Sequence, residues 1–426
     1  MNRPWRDTFI PLFIVCVVSL ALIGLVLPPG RVVTAQTVHE DARPGEDASP
    51  VEDALPIEDA AFEPAPESLP QQAISPPCDA NRIESIANPN QPEGAAPTPP
   101  PQIPKPLGYY EYRFDKSFGG YGLGHGYFQS PVDIGVDDED NIYVCDKEGE
   151  RIQRFNAEGY FREEWERISI DLSDFNQSNN MNEPQALHVD YKESVGMTFI
   201  YVSDTKNNRI LQFNKDGMLI KPDGEEIDEI QEWSAMINAE LLWGGFGSGP
   251  GQFHHPTDVT VDRYDNVYVL DSMNSRVQCF DEEGKFKSEF GGFGSGRGSF
   301  LKPTRIAYDP SRFGALWVID GKNGKLHKFD LDGDFVRAYQ PRDNQGTPLP
   351  TPADLCLDTQ GFLYVTDSSL NRVFKYNSDV EFIQCWGGEG SEAGQFKAPK
   401  GIAVDSEDRV LVVDSGNYRV QIFRQF

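Results

Sequence analysis

The chain repeats one short pattern six times between residues 131 and 423. Each copy has an aromatic residue or leucine, a valine, any residue and an aspartate, and a basic residue follows five positions later. A pattern that recurs in this way constrains the fold more than any single residue, because each copy must form the same structural unit. The aspartate and basic residue of the six copies are Asp146 and Arg151, Asp204 and Arg209, Asp271 and Arg276, Asp320 and Lys325, Asp367 and Arg372, and Asp414 and Arg419.

The residues around each copy predict a four-stranded unit. Runs of β-branched and aromatic residues alternate with clusters of Asp, Asn and Gly, which is typical of strands and turns. The last three copies recur every 47 to 49 residues, a spacing that fits one antiparallel blade of a β-propeller. We therefore predict an all-β, six-bladed β-propeller over residues 109–426. Each copy follows a proline, at Pro131, Pro184, Pro256, Pro303, Pro352 and Pro399.

The two ends of this region predict how the ring closes. The chain stops at Phe426, just after the third strand of the sixth copy, and an unpaired predicted strand at residues 110–118 precedes the first copy. This strand can pair as the outer strand of the last blade, which would remove the exposed edge of an open sheet.

The repeat resembles the NHL repeat of six-bladed propellers. The sixth copy, Pro399-Lys400-Gly401-Ile402-Ala403-Val404-Asp405 followed by Asn417-Tyr418-Arg419-Val420, carries the resemblance most clearly. The resemblance covers roughly residues 109–426 and implies the propeller fold. It does not define an activity, because one fold hosts many functions.

The repeated Asp and basic residues are predicted to be structural. They lie at the two ends of a hairpin turn between the second and third strands, where Asp can cap the turn and Arg can bridge it. A catalytic group is needed once in a site, whereas these residues occur once in every blade.

The position two residues after each blade proline is a better candidate for a site. It should lie at the mouth of the central channel, and Asp133, Asp258 and Asp354 occupy it in three blades. Three carboxylates around one channel would suit Ca²⁺, which prefers oxygen ligands in a loose geometry. The alternative is a structural cluster, in which Arg305 neutralises the carboxylates or each Asp binds backbone amides. The six residues at this position are Asp133, Ala186, Asp258, Arg305, Asp354 and Gly401.

The histidines do not predict a zinc enzyme. The resemblance includes amidating lyases that hold zinc with histidines from several blades, but the six histidines of this chain do not recur in one frame of the repeat. We therefore expect no zinc cofactor, and calcium is the one metal that the carboxylates suggest.

An insertion follows the second copy. The second and third prolines are 72 residues apart, and the surplus falls near residues 224–242. Apolar residues at helical spacing predict an amphipathic helix there. It either covers the flank of the propeller or binds a partner, and its candidate partner-binding residues are Ile230, Trp233 and Ile237.

The first 108 residues are unlike the repeats. Residues 1–35 include an uncharged apolar stretch at 9–27 after Arg3 and Arg6, which predicts either a signal peptide or a single transmembrane anchor. Both alternatives place the propeller outside the cytoplasm. Residues 36–108 are rich in Pro, Glu, Asp and Ala and predict a disordered acidic linker.

The net charge of the chain limits the kinds of partner that it can bind. The chain has 38 basic and 67 acidic side chains, and this excess of negative charge would repel a phosphate backbone. We therefore expect no nucleic-acid partner, although some propellers with this repeat bind RNA on a basic face.

The propeller cysteines are predicted to remain buried free thiols, whereas Cys78 in the linker could join two chains. Cys356 and Cys385 fall in one predicted blade, but three strand spacings of about 4.8 Å would separate them. A disulfide requires α-carbons within about 7 Å.

These features together predict a binding scaffold. We expect a monomeric, non-enzymatic propeller outside the cytoplasm that binds a protein, a small molecule or a glycan, and that contacts the membrane only through an uncleaved N-terminal segment. The alternative is a hydrolase or lyase that uses a divalent metal in the channel.

Overall fold

A computed structural model describes residues 108–166, 180–218, 220, 242–311 and 313–426. The predicted signal or anchor segment, the linker at 36–107 and the predicted helix with Ile230, Trp233 and Ile237 lie outside these residues. No helix within the described ranges is long and apolar enough to cross a membrane.

The described residues form six four-stranded antiparallel sheets. Each sheet is one blade, and its strands follow one another in the chain, except in blade 6. The strands are β1 (Tyr112–Gly119), β2 (Pro131–Val136), β3 (Ile142–Asp146), β4 (Arg151–Phe155), β5 (Phe161–Trp165), β6 (Ala186–Lys192), β7 (Met197–Asp204), β8 (Arg209–Asn214), β9 (Leu242–Gly244), β10 (Pro256–Val261), β11 (Val267–Asp271), β12 (Arg276–Phe280), β13 (Phe286–Gly291), β14 (Pro303–Asp309), β15 (Ala315–Asp320), β16 (Lys325–Phe329), β17 (Phe335–Tyr339), β18 (Pro352–Leu357), β19 (Leu363–Asp367), β20 (Arg372–Tyr376), β21 (Phe382–Gly387), β22 (Ile402–Val404), β23 (Val410–Asp414) and β24 (Arg419–Gln425).

The first strand closes the ring, as the sequence predicted. Strand β1 pairs with β24 and becomes the outer strand of blade 6. Backbone bonds continue beyond the strands, since the Phe426 amide donates to the Glu111 carbonyl over 2.9 Å and the Glu111 amide donates to the Phe426 carbonyl over 3.2 Å. The two ends of the propeller therefore share one sheet, and neither leaves an open edge.

The hydrophobic core lies between the blades. Six clusters of buried side chains occur, and each joins two neighbouring blades around the ring. Between blades 1 and 2, for example, Tyr143 packs in one cluster with Leu187 and Ile200. Because full burial of one such side chain stabilises the fold by about 1.5–3 kcal/mol, the repeated clusters make the ring rigid.

The repeated Asp residues hold the loop that enters each blade. The Asp146 carboxylate accepts a hydrogen bond from the Ser130 amide over 2.7 Å, and the corresponding residue does the same in the other five blades. In four blades the basic residue also forms an ion pair with this Asp. These pairs are Asp146 with Arg151, Asp204 with Arg209, Asp271 with Arg276 and Asp414 with Arg419.

One expectation about the cysteines is wrong. Cys385 is disulfide-bonded, whereas Cys145, Cys279 and Cys356 are free. Cys356, which lies in the same blade, is not the partner of Cys385, as the strand spacing predicts.

Candidate functional site

The inner strands of all six blades surround a central channel. At one level of this channel they enclose a cavity of about 220 Å³. Asp133, Asp258 and Asp354 line it, so the structure brings together the three carboxylates that the sequence placed at the channel mouth.

Each of the three carboxylates binds the backbone of the next blade. A β-bulge lies between each blade proline and the Asp two residues later, and it moves the Asp side chain out of the regular register. Strands β2, β10 and β18 belong to blades 1, 3 and 5, and the amides that donate to their carboxylates lie in blades 2, 4 and 6. The bonds run from the Leu187 amide to Asp133 Oδ2 (2.9 Å), from Ile306 to Asp258 Oδ2 (2.7 Å) and from Ile402 to Asp354 Oδ2 (3.0 Å).

Arg305 crosses the channel among these carboxylates. It extends from blade 4, is 7% exposed, and its Nε lies 3.4 Å from Asp354 Oδ1. Its Nη2 donates to the Val132 carbonyl of blade 1 over 3.5 Å and to the Gln185 carbonyl of blade 2 over 3.4 Å. A single guanidinium therefore connects four of the six blades.

Burial dominates the electrostatics of this cluster. Burial raises the pKa of Asp133 and of Asp354, and it raises the pKa of Asp258 to about 7. The positive charge of Arg305 lowers the pKa of all three carboxyls and offsets part of this effect. Burial alone would lower the pKa of Arg305, but attraction to the three carboxylates more than offsets this and holds that pKa above its usual value. The arginine thus stays charged, and the carboxylates in excess of its single charge tend to take up protons.

The corresponding position in blades 2 and 6 holds a small residue, Ala186 or Gly401, because the blades approach each other closely there. The Gly401 amide donates to the Val132 carbonyl over 3.1 Å, which brings blade 6 against blade 1. A Cβ added at position 401 would lie 2.7 Å from the Asp133 Cα. Ala186 is fully buried.

This arrangement fits a structural cluster better than a calcium site. Ca²⁺ takes six to eight oxygen ligands, but each carboxylate here already uses one oxygen on a backbone amide, and Arg305 lies among all three. Within the described part of the chain, no group of three or more His, Cys, Asp or Glu side chains is arranged to hold a metal ion. The calcium interpretation stays a prediction.

The sequence argument missed a second ring of channel residues. His188, Thr260 and Cys356 line the same cavity, and they stand two residues beyond Ala186, Asp258 and Asp354. Burial lowers the pKa of His188 to about 4, so its imidazole is neutral at pH 7. The sequence signal for this ring is the frame of the repeat, because all three residues stand four positions after a blade proline.

The NHL repeat family matches residues 128–155 and 396–423, and a family described as 6-bladed beta-propeller matches residues 259–342. Among curated proteins, Protein brain tumor of Drosophila melanogaster is 27% identical over 119 residues, which are 28% of this chain and 11% of that protein. The chain thus matches only a small part of that relative.

Solved propellers resemble the chain in fold. An auxiliary nutrient binding protein from Bacteroides ovatus aligns with a TM-score of 0.50 at 12% identity, over 75% of this chain and 78% of that one. Virginiamycin B lyase from Staphylococcus aureus aligns with a TM-score of 0.48 at 13% identity, over 74% of this chain and all of that one. A gluconolactonase from Xanthomonas campestris aligns with a TM-score of 0.47 at 11% identity, over 76% of this chain and 99% of that one.

Proposed function

Because this chain is a six-bladed β-propeller that contains NHL repeats, we propose that it acts as a non-enzymatic binding scaffold outside the cytoplasm. It would hold a rigid propeller on its acidic linker and present the outer surface of the blades to a protein, small-molecule or glycan ligand.

The contacts of the channel cluster carry this proposal. An enzyme needs ionisable groups whose oxygens and nitrogens are free to meet a substrate. Here the three carboxylates bind backbone amides of neighbouring blades, and Arg305 binds backbone carbonyls and Asp354. These groups hold the blades together, which leaves recognition to the surface.

The disulfide supports a location outside the cytoplasm. Cys385 is disulfide-bonded, and such bonds persist mainly in oxidising compartments. The apolar stretch at residues 9–27 points the same way, either as a signal peptide or as an anchor that tethers the propeller to the membrane.

One observation favours the alternative of a metal-dependent hydrolase or lyase. His188 is neutral at pH 7 and lines the same cavity as Asp258, and a neutral imidazole near carboxylates can act as a general base or a metal ligand. The cavity is nevertheless smaller than the roughly 300–1,000 Å³ that is usual for small-molecule sites.

Elemental analysis of the purified full-length protein, combined with a thermal melt in the presence and absence of a chelator, separates the two functions. A scaffold should contain no stoichiometric Ca²⁺ or Zn²⁺ and should keep its Tm in chelator. Stoichiometric metal together with metal-dependent hydrolysis of a lactone substrate would overturn the proposal.

A further inference from the structure

In three blades, two side chains fix the glycine-rich loop that leads into the inner strand. In blade 1, Arg151 donates to the Tyr127 carbonyl over 2.8 Å, and Gln153 both donates to that carbonyl and accepts from the Gly126 amide. The same contacts recur in blades 3 and 6, where the anchoring residues are Arg276 and Gln278, and Arg419 and Gln421.

Blade 4 lacks both anchors. Lys325 stands in place of the arginine, is exposed, and forms no ion pair with Asp320. His327 stands in place of the glutamine and is 4% exposed, and neither of its ring nitrogens has a hydrogen-bond partner. The imidazole lies instead among Phe300 and Phe335, with ring centroids 5.5 and 5.9 Å away. The loop at 292–302 is therefore held by fewer side chains than the corresponding loops of blades 1, 3 and 6.

This loop, the adjacent turn at 321–324 and the first residue of β16 carry cations without an ion-pair partner among the described residues, although Arg297 lies 5.6 Å from the centroid of the Phe335 ring. Gly321 donates its amide to the Lys302 carbonyl over 2.8 Å, which places the turn against the loop. Phe293 projects from the loop and is 80% exposed. We call Phe293, Arg297, Lys302, Lys322 and Lys325 together the blade 4 patch. Its four basic side chains are exposed and form no ion pair with any described residue.

The edge of the propeller that carries the patch is far less acidic than the opposite edge. Among the described residues, the turns after the first and third strands of the blades carry 21 acidic and four basic side chains. The loops and turns on the edge with the patch carry seven acidic and eight basic ones. In a chain of formal net charge −29, the blade 4 patch is where an anionic group meets attraction rather than repulsion.

We propose that the blade 4 patch docks a short acidic peptide segment of a partner protein. The four cations would pair with Asp or Glu side chains of the segment, and Phe293 would pack against one of its apolar side chains. A short segment fits better than a long polyanion, because the patch spans one blade and a longer polymer would extend over the acidic remainder of the molecule. This inference rests on the proposed binding function and identifies its partner class.

The test uses full-length protein and a fluorescein-labelled peptide of six Glu around one central Leu, with binding measured by fluorescence anisotropy at low and moderate salt. The triple variant R297Q/K302Q/K322Q should weaken binding at least about tenfold, and F293A should weaken it about fivefold. The control variant K206Q/K215Q/K285Q changes the net charge equally but away from the patch, so it should bind within about twofold of the parent. Each of these residues is on the surface, and thermal melts confirm that the variants fold.

Three results would overturn the proposal. The first is equal loss of binding in the patch variant and the control variant, and the second is no binding of the acidic peptide to the parent protein. The third is tighter binding of poly-uridylate or polyglucuronate than of the peptide, which would assign the patch to a polyanion. None of these results depends on metal content, so failure of the patch and failure of the scaffold function are distinguishable.

Discussion

Gly401 packs against the backbone of Asp133, and this contact joins blade 6 to blade 1. A Cβ at position 401 would approach the Asp133 Cα to 2.7 Å and the Ile134 nitrogen to 3.0 Å. Both neighbouring atoms are backbone and belong to a strand, so neither can move without shifting the blade.

The variant G401A should therefore destabilise the propeller. Overpacking at a rigid contact costs about 1–3 kcal/mol, and the loss should appear as a lower urea midpoint. Gly124 provides the matched control, because it has ordinary backbone angles and a Cβ there would meet only the Tyr127 ring at 3.7 Å. If G124A lowers the midpoint as much as G401A does, the blade 6 to blade 1 contact is not the cause.

The sequence predicted the fold well because the period of the repeat determines the backbone pairing. Six copies gave six blades, and the unpaired strand before the first copy gave the closure through β1 and β24. The frame of the prolines also located Asp133, Asp258, Arg305 and Asp354 on one channel.

The contacts of those residues could not be predicted. Which amide each Asp meets depends on the bulge after the proline and on how closely neighbouring blades approach, and neither follows from one strand's sequence. Arg305 reaches blades 1 and 2, more than 100 residues away along the chain. The difference of blade 4 from blades 1, 3 and 6 was visible as Lys325 and His327, but its meaning depended on what Arg151 and Gln153 do in blade 1 and their counterparts do in blades 3 and 6.

The variant H327Q should stabilise blade 4. A glutamine there can make the two loop contacts that Gln153 makes in blade 1, each worth about 0.5–1.5 kcal/mol. Urea unfolding should show a gain of about 1–2 kcal/mol. The reciprocal change Q278H in blade 3 should remove a comparable amount, and a neutral or opposite effect of either variant would contradict the anchoring role.

The gain from H327Q should also depend on pH. Burial lowers the pKa of His327 below its usual value, so the unfolded chain binds this proton more tightly than the folded one. The stability associated with the neutral imidazole is present above about pH 6.5 and is lost as the pH falls towards the lower folded-state pKa. The difference between H327Q and the parent protein should be larger at pH 5 than at pH 8, and the same difference at both values would contradict the assignment.

Asp258 should contribute a pH dependence of the opposite sign. Its pKa is raised to about 7, chiefly by burial, so the folded state holds a proton that the unfolded state has released above about pH 4. This contribution is complete below pH 4 and is lost as the pH rises through 7. D258N loses one acceptor for the Val259 and Ile306 amides, at a cost of about 1 kcal/mol at pH 5.

The loss of folding stability caused by D258N should therefore become smaller between pH 5 and pH 8, because only the parent protein has to bury an ionised carboxylate at the higher pH. Urea midpoints at the two pH values measure this. D379N changes an exposed turn residue and serves as the control, whose difference from the parent should not vary with pH.

Arg305 provides the last test, because it is the cation within the channel cluster. Loss of one partner from a buried ionic cluster costs about 3–5 kcal/mol, so R305M should lower the thermal midpoint substantially. Adding D354N to R305M should restore part of the loss, since it removes one of the carboxylates left without a counter-charge. If R305M alone is as stable as the parent, the arginine does not hold the blades together.

Ca²⁺ offers an independent readout, because a cation can take the place of the lost guanidinium. Added Ca²⁺ should raise the Tm of R305M and leave that of the parent unchanged, whereas a rise in the parent itself would support the calcium site in the channel.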